Sequence, residues 1–591
     1  MPVEGETLVQ VFLNRTSATP QWPALRSKDG GSWTTIDYAS FRRRASAVAN
    51  GLISVGVSPG ARVGILSANR PEWLICDFAV MLTGAVTVPV YPTNSPDQVA
   101  HVAGHSGCEV LFVEDEAQYE KVLKSRERLP GLREIVSLSG PEAEGRVALE
   151  RLAEGGEDYA AAHAGELEER AGAVRPGDLA SIVYTSGTTG EPKGTMLTHS
   201  NFVWTTAAVG RHIDLHEGER LISYLPLSHI FERLVSCAIG VTFGFDLWFA
   251  ESTAALLDNL KECRPTIFVG VPRVYEKFYS GMKSKIAAHP KRSLIEKALA
   301  ASTARFQARQ SGGGGWASGL KVAVLDRVVL SKLREGIGMD KVRFAITGAA
   351  PIDPEIATFI HGIGIDLLDG YGQTETTAPV TLNPIGRARI GTVGPPLPGV
   401  ELAFEEDGEI LVKGGNLFAG YHNDQAATKE AMTAAGFLRT GDIGVLDEAG
   451  YLRITDRKKD LFKTAGGKYV APQAIENKLT LQPLIAQAVV IGDRRPFPTA
   501  LLTLDDQALA QWAADKGLSE VPPADGEEVA RAVEEAVGQV NATLSQPEQI
   551  KKWVVLPDLL TQESGEVTPT MKVRRGKVME KYSGLIERMY N

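Results

Sequence analysis

Between about residue 35 and residue 370 the chain alternates helix-like and strand-like segments. FRRRASAVANGLISVG carries apolar residues at helical spacing, whereas RVGILSA and AVTVPVYP are short apolar runs typical of buried strands. The alternation continues as far as IDLLDGYG. Strands that alternate with helices form parallel sheets covered by helices. The pattern therefore predicts an α/β fold with a large amino-terminal domain of helix-covered sheets.

Two helix starts within this part are predicted from capping residues. Asp353, with Pro354 directly behind it, predicts a helix over IATFIHG, because proline is tolerated at the first helical position. Ser200 is predicted to be the N-cap of the helical pattern NFVWTTAAVG.

The character of the chain changes after Gly391. VELAF and EILVKG flank the turn EEDG, and DIGVLD and YLRITD flank EAG, which is typical of hairpins. The charge run RKKD then precedes a mixture of helical and strand-like segments. We therefore predict a domain at 1–455 that includes a β-rich lobe at about 391–455, and a separate α+β domain at 456–591.

The bulk composition excludes several classes of protein. A chain of 591 residues is too long for one compact core. Its formal charge of -10 offers no general attraction for nucleic acid, so we expect no nucleic-acid partner. The widely separated Cys76, Cys108, Cys237 and Cys263 match neither a disulfide framework nor a metal-ligand spacing, which favours a reduced, cytoplasmic protein.

The sequence shows neither a secretory signal nor a membrane span. The amino terminus lacks a basic segment followed by an apolar one, and no stretch approaches about 18 uninterrupted apolar residues. Any membrane contact is therefore expected to be peripheral. Whether the protein forms a homodimer is left open by the sequence.

The stretch YTSGTTGEPKG, Tyr184 to Gly194, has the chemistry of a phosphate-binding loop. Glycines relax its backbone, hydroxyl groups accompany exposed N–H groups, and Lys193 supplies a cation. Backbone donors, hydroxyls and one lysine can converge on an anion. The loop does not match the P-loop of nucleoside triphosphatases, because Lys193 follows Pro192 rather than a glycine. A phosphate loop of another family is indicated.

Three further motifs can contribute to a nucleotide site. TGAAPI, Thr347 to Ile352, has residues small enough for a flat ring to lie against the backbone. In DGYGQTE, Tyr371 can stack on a base and Glu375 can hold a magnesium ion through oxygen. In RTGDIG, Asp442 can accept two hydrogen bonds from a diol such as a ribose.

Taken together, the motifs resemble an acyl-CoA synthetase of the AMP-forming, adenylate-forming ligase superfamily, in its long-chain fatty acid branch. The resemblance covers essentially the whole chain and rests on seven motifs in order: YTSGTTGEPKG, YLPLSHIFER, TGAAPI, GYGQTE, RTGDIG, DRKKDLFKTAGGKYVAPQ and TPTMKVRR. It implies a reaction in which a fatty acid attacks the α-phosphate of ATP, giving acyl-adenylate and pyrophosphate. The thiol of coenzyme A then displaces AMP.

The resemblance also implies a role for each motif in the first step. Thr185 and Glu375 help to place Mg²⁺, and Lys572 bridges the carboxylate and the α-phosphate. Asp442 and Arg457 hold the ribose. The phosphate loop contributes Thr185, Ser186, Gly187, Thr188, Thr189, Gly190 and Lys193, and the adenine side contributes Gly348, Ala349, Ala350, Asp369, Gly370, Tyr371, Gly372 and Thr374.

For the second step the resemblance implies a movement of the carboxyl-terminal domain. This domain would turn about a hinge at Asp456 and replace the Lys572 loop with the glycine loop at Gly466 and Gly467. Two adjacent glycines let the backbone approach pantetheine closely. His229, in PLSHIFER, is a candidate at the junction of the acyl chain and the coenzyme A channel, although a histidine among apolar neighbours is more often a packed one.

Other functions compete with this interpretation. A fatty acyl-AMP ligase would pass its adenylate to a carrier protein, and a catalytically inactive scaffold would bind ATP without turnover. GVSPG, Gly56 to Gly60, matches the nucleophile elbow of hydrolases, but Pro59 lacks the backbone N–H that an oxyanion hole needs. The acidic segment Glu527 to Glu535 is expected to be a solvated helix face.

Overall fold

The computed structural model describes residues 2–140, 145–185, 191–310, 322–458, 462–465, 469–518, 520–524, 526–562, 564–568 and 573–591. Its strands are β1 Pro23–Asp29, β2 Ser32–Asp37, β3 Arg62–Leu66, β4 Val86–Val90, β5 Cys108–Val113, β6 Glu134–Ser137, β7 Val147–Ala148, β8 Leu179–Thr185, β9 Lys193–Thr198, β10 Arg220–Ser223, β11 Asp246–Phe249, β12 Ile267–Gly270, β13 Phe344–Thr347, β14 Leu367–Gln373, β15 Ala378–Leu382, β16 Glu401–Phe404, β17 Glu409–Lys413, β18 Gly420–Tyr421, β19 Leu438–Leu446, β20 Leu452–Arg457, β21 Phe462–Lys463, β22 Tyr469–Val470, β23 Ile485–Ile491, β24 Thr499–Leu504 and β25 Lys552–Val555.

The α-helices span Leu8–Ala18, Tyr38–Ser54, Pro71–Leu82, Pro96–Ser106, Glu116–Leu123, Leu149–Ala162, Glu166–Ala173, His199–His212, Ile230–Arg233, Gly240–Phe243, Leu256–Cys263, Pro272–Ala287, Arg292–Gln310, Ser331–Glu335, Pro354–Gly362, Gln425–Ala431, Pro472–Thr480, Asp506–Asp515, Glu527–Asn541, Arg575–Lys581 and Ser583–Tyr590. Two π-helical stretches, Leu234–Ile239 and Asp326–Leu330, continue the helices beside them. In the part of the chain that the structure describes, no helix is both long and apolar enough to cross a bilayer.

The largest sheet has eight strands in the order β18-β9-β8-β4-β3-β5-β6-β7. The strands from β8 to β7 run parallel, whereas β9 pairs antiparallel with both β8 and β18. Helix Pro71–Leu82 packs against β3 and β4, and all of its residues except Glu72 are buried. The predicted α/β fold with helix-covered sheets is confirmed.

The remaining amino-terminal strands form two further sheets. Their orders are β10-β11-β1-β2 and β12-β13-β14-β15, each with an antiparallel last strand. The predicted rhythm of strands and helices does not distinguish one sheet from three, because it contains no information about which strands pair. Asp369 to Gln373 form the carboxyl-terminal part of β14, where its parallel pairing with β13 ends, and α/β proteins bind ligands at such strand ends.

The predicted hairpins of the β-rich segment are present. β16, β17, β19 and β20 form one antiparallel sheet, with VELAF paired to EILVKG and DIGVLD paired to YLRITD. Further along the chain, β23, β24 and β25 form a sheet of three strands. Helices Pro472–Thr480 and Glu527–Asn541 cover it, and Ile475, Val490 and Val533 lie in a hydrophobic cluster of its own. Glu527–Asn541 is therefore amphipathic, with its acidic residues outside.

One predicted helix start is confirmed and the other is wrong. Asp353 caps helix Pro354–Gly362 by accepting the backbone N–H of Glu355. Helix His199–His212 begins earlier than predicted, because Thr198 rather than Ser200 is its N-cap. The Thr198 hydroxyl accepts the backbone N–H of Asn201, and Oδ1 of Asn201 accepts the backbone N–H of Thr198. This reciprocal capping box satisfies two N–H groups, which a cap at Ser200 would leave unpaired.

The four cysteines are free and buried, in agreement with the structural role predicted for them. GVSPG lies between helix Tyr38–Ser54 and β3, whereas a nucleophile elbow follows a strand and precedes a helix.

A buried histidine makes the stability of the fold depend on pH. His199 is 1% exposed at the first position of its helix, and burial lowers its pKa from 6.5 to about 4. The unfolded chain therefore binds a proton below about pH 6.5 that the folded chain refuses, so stability falls as the pH drops toward 4. We expect a loss of roughly 2 kcal/mol between pH 7 and pH 5 from this residue.

Chemical denaturation of the wild type and His199→Gln at the two pH values measures this contribution. We expect the substitution to reduce the shift in midpoint between pH 7 and pH 5. The exposed His163→Gln is the control and should leave the shift unchanged. A shift of equal size in His199→Gln and the wild type would contradict the assignment.

Candidate active site

The predicted phosphate loop joins two antiparallel strands. Thr185 at the end of β8 pairs with Lys193 at the start of β9, so the two residues close the loop. A side chain at Gly194 would place its Cβ 3.0 Å from the ring of Tyr184, which explains a glycine at this position. Ser186, Gly187, Thr188, Thr189 and Gly190 lie outside the described residues.

Tyr421 connects the two predicted phosphate-binding motifs. It lies on β18 beside β9, and the Lys193 ammonium sits 5.0 Å from the centre of its ring. Its hydroxyl donates to Oε1 of Glu375 at 2.8 Å. Sequence reasoning missed Tyr421, because nothing in its local pattern distinguishes it from a core tyrosine.

The donor set at Glu375 fits a magnesium ion bound through a substrate. Among the described residues no group of three or more His, Cys, Asp and Glu side chains is arranged to hold a metal. Mg²⁺ usually binds one or two carboxylates together with substrate phosphates and waters. One carboxylate oriented by Tyr421 and the hydroxyl of Thr185 match that requirement.

The residues of TGAAPI and DGYGQTE lie side by side. Thr347 pairs with Asp369 across β13 and β14, and Gly348 approaches so closely that an added Cβ would lie 3.1 Å from the Gly370 carbonyl oxygen. Ala349 has a φ of +68°, a left-handed conformation that is strained for a non-glycine residue. Such strain is typical of functional sites. At Gly372 an added Cβ would lie 1.6 Å from the carbonyl oxygen of Ala378, so only glycine fits.

Asp442 is the centre of a polar network at the end of β14. Its Oδ2 accepts the Tyr371 hydroxyl at 2.7 Å and Nε2 of Gln373 at 2.5 Å. Oδ1 lies 3.3 Å from Nε of Arg457, which is its cross-strand partner on β20. Thr440 adds its carbonyl oxygen as a second acceptor for Gln373. The network brings together the predicted Tyr371, Asp442 and Arg457.

Gln373 was not among the predicted site residues. Side chains two positions apart on a strand share a face, so the pattern of Tyr371, Gln373 and Glu375 contained the signal. Burial raises the pKa of Tyr371 well above its ordinary value, and the nearby Asp442 carboxylate adds to the effect. Tyr371 is therefore a neutral donor at physiological pH. Asp369 and Thr374 flank this segment, and burial raises the pKa of Asp369 as well.

His229 is the N-cap of the short helix Ile230–Arg233. Its Nδ1 accepts the Phe231 N–H at 3.2 Å, so the neutral ring carries its proton on Nε2. The next two polar residues are buried: Glu232 accepts the hydroxyls of Ser223 and Ser236 at 2.6 and 2.7 Å, and burial raises its pKa to about 7.

Arg233 completes the motif with an ion pair to Asp77 at 2.6 Å, in which both side chains are at most 1% exposed. The PLSHIFER motif is thus partly structural, because breaking a buried ion pair leaves an uncompensated charge.

Three predicted functional positions are not described by the structure. Gly466, Gly467 and Lys572 lie outside the described residues. Asp456, the predicted hinge, is the penultimate residue of β20 and pairs with Ile443 of β19. Lys458, two residues further on, forms ion pairs with Asp407 and Glu409 at 2.6 and 2.8 Å.

Family models match nearly the whole chain. The model of the AMP-binding enzyme matches residues 12–422, and that of the AMP-binding enzyme C-terminal domain matches residues 459–591. The long-chain-fatty-acid–CoA ligase FadD15 of Mycobacterium tuberculosis is 41% identical over 599 residues, covering 100% of this chain and 98% of that protein. The long-chain-fatty-acid–CoA ligase ACSBG1 of Homo sapiens is 32% identical, covering 96% of this chain and 83% of that protein.

Solved structures share the fold at lower sequence identity. The A domain of the carboxylic acid reductase from Segniliparus rugosus, in complex with AMP and a co-purified carboxylic acid, aligns with a TM-score of 0.75 at 21% identity, covering 99% of this chain and 94% of that one. The anthranilate CoA ligase AuaEII, in complex with anthranoyl-AMP, aligns with a TM-score of 0.73 at 19% identity and covers 99% of both chains. Two family models that together span the chain, and relatives above 30% identity along it, show that the protein belongs to the AMP-binding enzyme family.

Proposed function

We propose that the protein is a long-chain fatty acid–CoA ligase that forms acyl-CoA, AMP and pyrophosphate from a fatty acid, ATP and coenzyme A. One observation carries the proposal: alternate residues of β14 and of the turn that follows it connect two polar sites. Tyr371 and Gln373 bond to Asp442, and Glu375 bonds to Tyr421 beside Lys193. An extended nucleotide needs one polar site for its ribose and a second polar site for its phosphates, and the segment 371–375 contacts both.

In the first step the protein positions ATP and stabilises the charge that develops on the leaving pyrophosphate. Asp442 accepts ribose hydroxyls with a carboxylate that Tyr371 and Gln373 orient through its Oδ2. Lys193 and the loop beside it face the phosphates, and Lys572 spans the attacking carboxylate and the α-phosphate. Mg²⁺, held by Glu375 and Thr185, supplies charge neutralisation when bound.

The second step uses the carboxyl-terminal domain at 456–591, which we propose turns about Asp456. Its rotation exchanges the Lys572 segment for the loop of Gly466 and Gly467. The ion pairs of Lys458 with Asp407 and Glu409 tie the residues after Asp456 to the β-rich lobe. In this proposal the domain 1–455 ends before Asp456. His229 stands where the acyl chain meets the coenzyme A path, with the proton of its neutral ring on Nε2.

A peripheral membrane contact would give the enzyme access to its apolar substrate. Val324 and Val328 are 58% and 56% exposed one turn apart, and the exposed Arg327 and Lys332 lie beside them. Exposed apolar side chains among cations favour an anionic bilayer surface. Sedimentation with vesicles that contain phosphatidylglycerol, compared with Val324→Ser together with Val328→Ser, tests this part of the proposal.

The experiment that tests the activity incubates the protein with magnesium–ATP and palmitate, with and without coenzyme A, and identifies the products by mass spectrometry. Stoichiometric AMP and palmitoyl-CoA are expected. Acyl-adenylate that accumulates and does not react with coenzyme A would favour the carrier-protein ligase instead. ATP that binds without forming AMP would contradict both activities.

Tyr421→Phe is expected to raise the magnesium concentration needed for half-maximal AMP formation by roughly tenfold. The substitution removes the hydrogen bond to Glu375, and such a bond to a charged group is worth about 1.5–3 kcal/mol. A magnesium titration measures the change. Tyr279→Phe is the matched control, because the Tyr279 hydroxyl also bonds to a glutamate, Glu355, on the surface. An unchanged requirement in Tyr421→Phe would contradict this role.

A further inference from the structure

Three histidines cluster against the loop that joins β8 to β9. His101 and His105 occupy successive turns of helix Pro96–Ser106, and their rings stack with centroids 5.5 Å apart. The ring of His422, directly after β18, meets that of His105 edge to face at 5.6 Å. None of the three lies in a motif to which the two-step reaction assigns a role.

The two helical histidines hold opposite ends of the loop. Nε2 of His101 lies 2.9 Å from the carbonyl oxygen of Pro192, so this nitrogen carries the proton and donates it. Nδ1 of His105 lies 2.7 Å from the hydroxyl of Tyr184. Tyr184 is the penultimate residue of β8, and Pro192 directly precedes β9. A single helix therefore contacts both ends of the loop, which the pairing of β8 with β9 brings together.

The surroundings favour a neutral ring at His105. Burial lowers the pKa of His105 and the neighbouring His101 adds to this effect, whereas Glu191 and Asp424 act in the opposite direction. A neutral imidazole offers one N–H and one lone pair, which suits fixed, directional bonds. The Glu191 carboxylate, 3.5 Å from Nδ1 of His101, is 86% exposed, so its charge is largely screened by solvent.

His422 connects the histidine cluster to β18, the strand that carries Tyr421. Its backbone N–H donates to the carbonyl oxygen of Gly194 at 2.7 Å, and Gly194 pairs with Tyr184 in the hairpin. The residue before it, Tyr421, orients Glu375. Tyr421 and His422 therefore contact both the Glu375 carboxylate and the β8–β9 hairpin that carries the loop.

We propose that His101 and His105 are positioning residues for ATP: they fix the two ends of the phosphate loop, which β8 and β9 pair, against helix Pro96–Ser106. This inference rests on the proposed function of the loop. Both histidines act through Tyr184 and Pro192 rather than by touching the substrate. Their loss should weaken ATP binding and leave the fatty acid and coenzyme A sites unaffected.

The test compares alanine variants with variants that keep the bonding atom. In His101→Gln the side-chain amide nitrogen takes the place of Nε2, and in His105→Asn a polar atom takes the place of Nδ1. His212→Ala is the matched control, because Nε2 of His212 also bonds to a carbonyl oxygen, that of Leu382, at 2.7 Å. Isothermal calorimetry of the full-length protein gives the Kd for magnesium–ATP, and steady-state assays give KM for palmitate and coenzyme A.

We expect His101→Ala and His105→Ala to weaken magnesium–ATP binding by about tenfold, the effect of one lost hydrogen bond. KM for palmitate and coenzyme A should stay within about twofold, and His101→Gln and His105→Asn should bind ATP nearly as the wild type does. If both alanine variants bind ATP as tightly as the wild type, and the wild type is an active ligase, the inference about His101 and His105 is overturned and the proposed function stands. An equal loss in His212→Ala would also overturn it, because the effect would then be one of general stability. A wild type that neither binds ATP nor forms AMP would overturn the proposed function together with it.

Discussion

Lys572→Ala is expected to lower the rate of acyl-adenylate formation by a factor of about 10² to 10³, the usual effect of removing one group that stabilises developing charge. Lys572 lies in TPTMKVRR, where the resemblance to the long-chain ligases assigns it the contact between carboxylate and α-phosphate. Pyrophosphate release from palmitate and ATP measures the first step. Synthetic palmitoyl-adenylate offered with coenzyme A measures the second step, which the variant should still perform.

Two further variants separate this role from a general effect of charge. Lys577→Ala removes an exposed lysine that pairs with Glu580 in the same region and should leave both steps unchanged. Gly467→Leu should show the reverse pattern, because a side chain in the glycine loop would block pantetheine: adenylate forms and the thioester is slow. Loss of the second step in Lys572→Ala, together with a normal first step, would refute both role assignments.

Glu375→Gln is expected to reduce the rate of AMP formation by about 10²-fold or more, since a metal ion contributes several kcal/mol of charge stabilisation. The substitution keeps the volume of the side chain and its hydrogen bond with Tyr421, but it removes the charge that attracts Mg²⁺. Rates measured at increasing magnesium concentration should recover only in part. The Kd for ATP without magnesium should change little, because Glu375 is assigned to the metal rather than to the nucleotide.

Glu355→Gln is the matched control, because Glu355 also accepts a tyrosine hydroxyl, that of Tyr279, on an exposed surface. It should leave AMP formation and the magnesium requirement unchanged. A rate in Glu375→Gln equal to the wild type at low magnesium would show that another group holds the metal.

Local patterns predicted most of the secondary structure. The short apolar runs RVGILSA and AVTVPVYP became β3 and β4, and the turns EEDG and EAG became hairpins, because their periodicity and turn residues are local properties. The error at Ser200 has a local cause as well. Thr198 and Ser200 are both good caps, and the choice depended on the reciprocal bond with Asn201.

Some residues of the candidate site were predicted from the sequence, and others were missed. Tyr371, Glu375 and Asp442 lie in motifs whose residue types fit a nucleotide, and the structure brings Tyr371 into contact with Asp442. Gln373 lies in one of the same motifs and shares a face of β14 with Tyr371, but it was not predicted. Tyr421 and the histidines at 101, 105 and 422 belong to no motif, so no pattern in the sequence indicated them.

The sequence by itself determined the α/β character of the protein, its order of strands and helices, and the residue types available for binding a nucleotide, because each of these depends on neighbours along the chain. Only the tertiary structure decided that the strands divide among separate sheets, and that β18 lies beside β9. Tyr421 meets Glu375 across 46 residues of sequence, and His101 meets Pro192 across 91. Contacts of this kind depend on how strands pair and helices pack, and the periodicity of a single segment does not encode them.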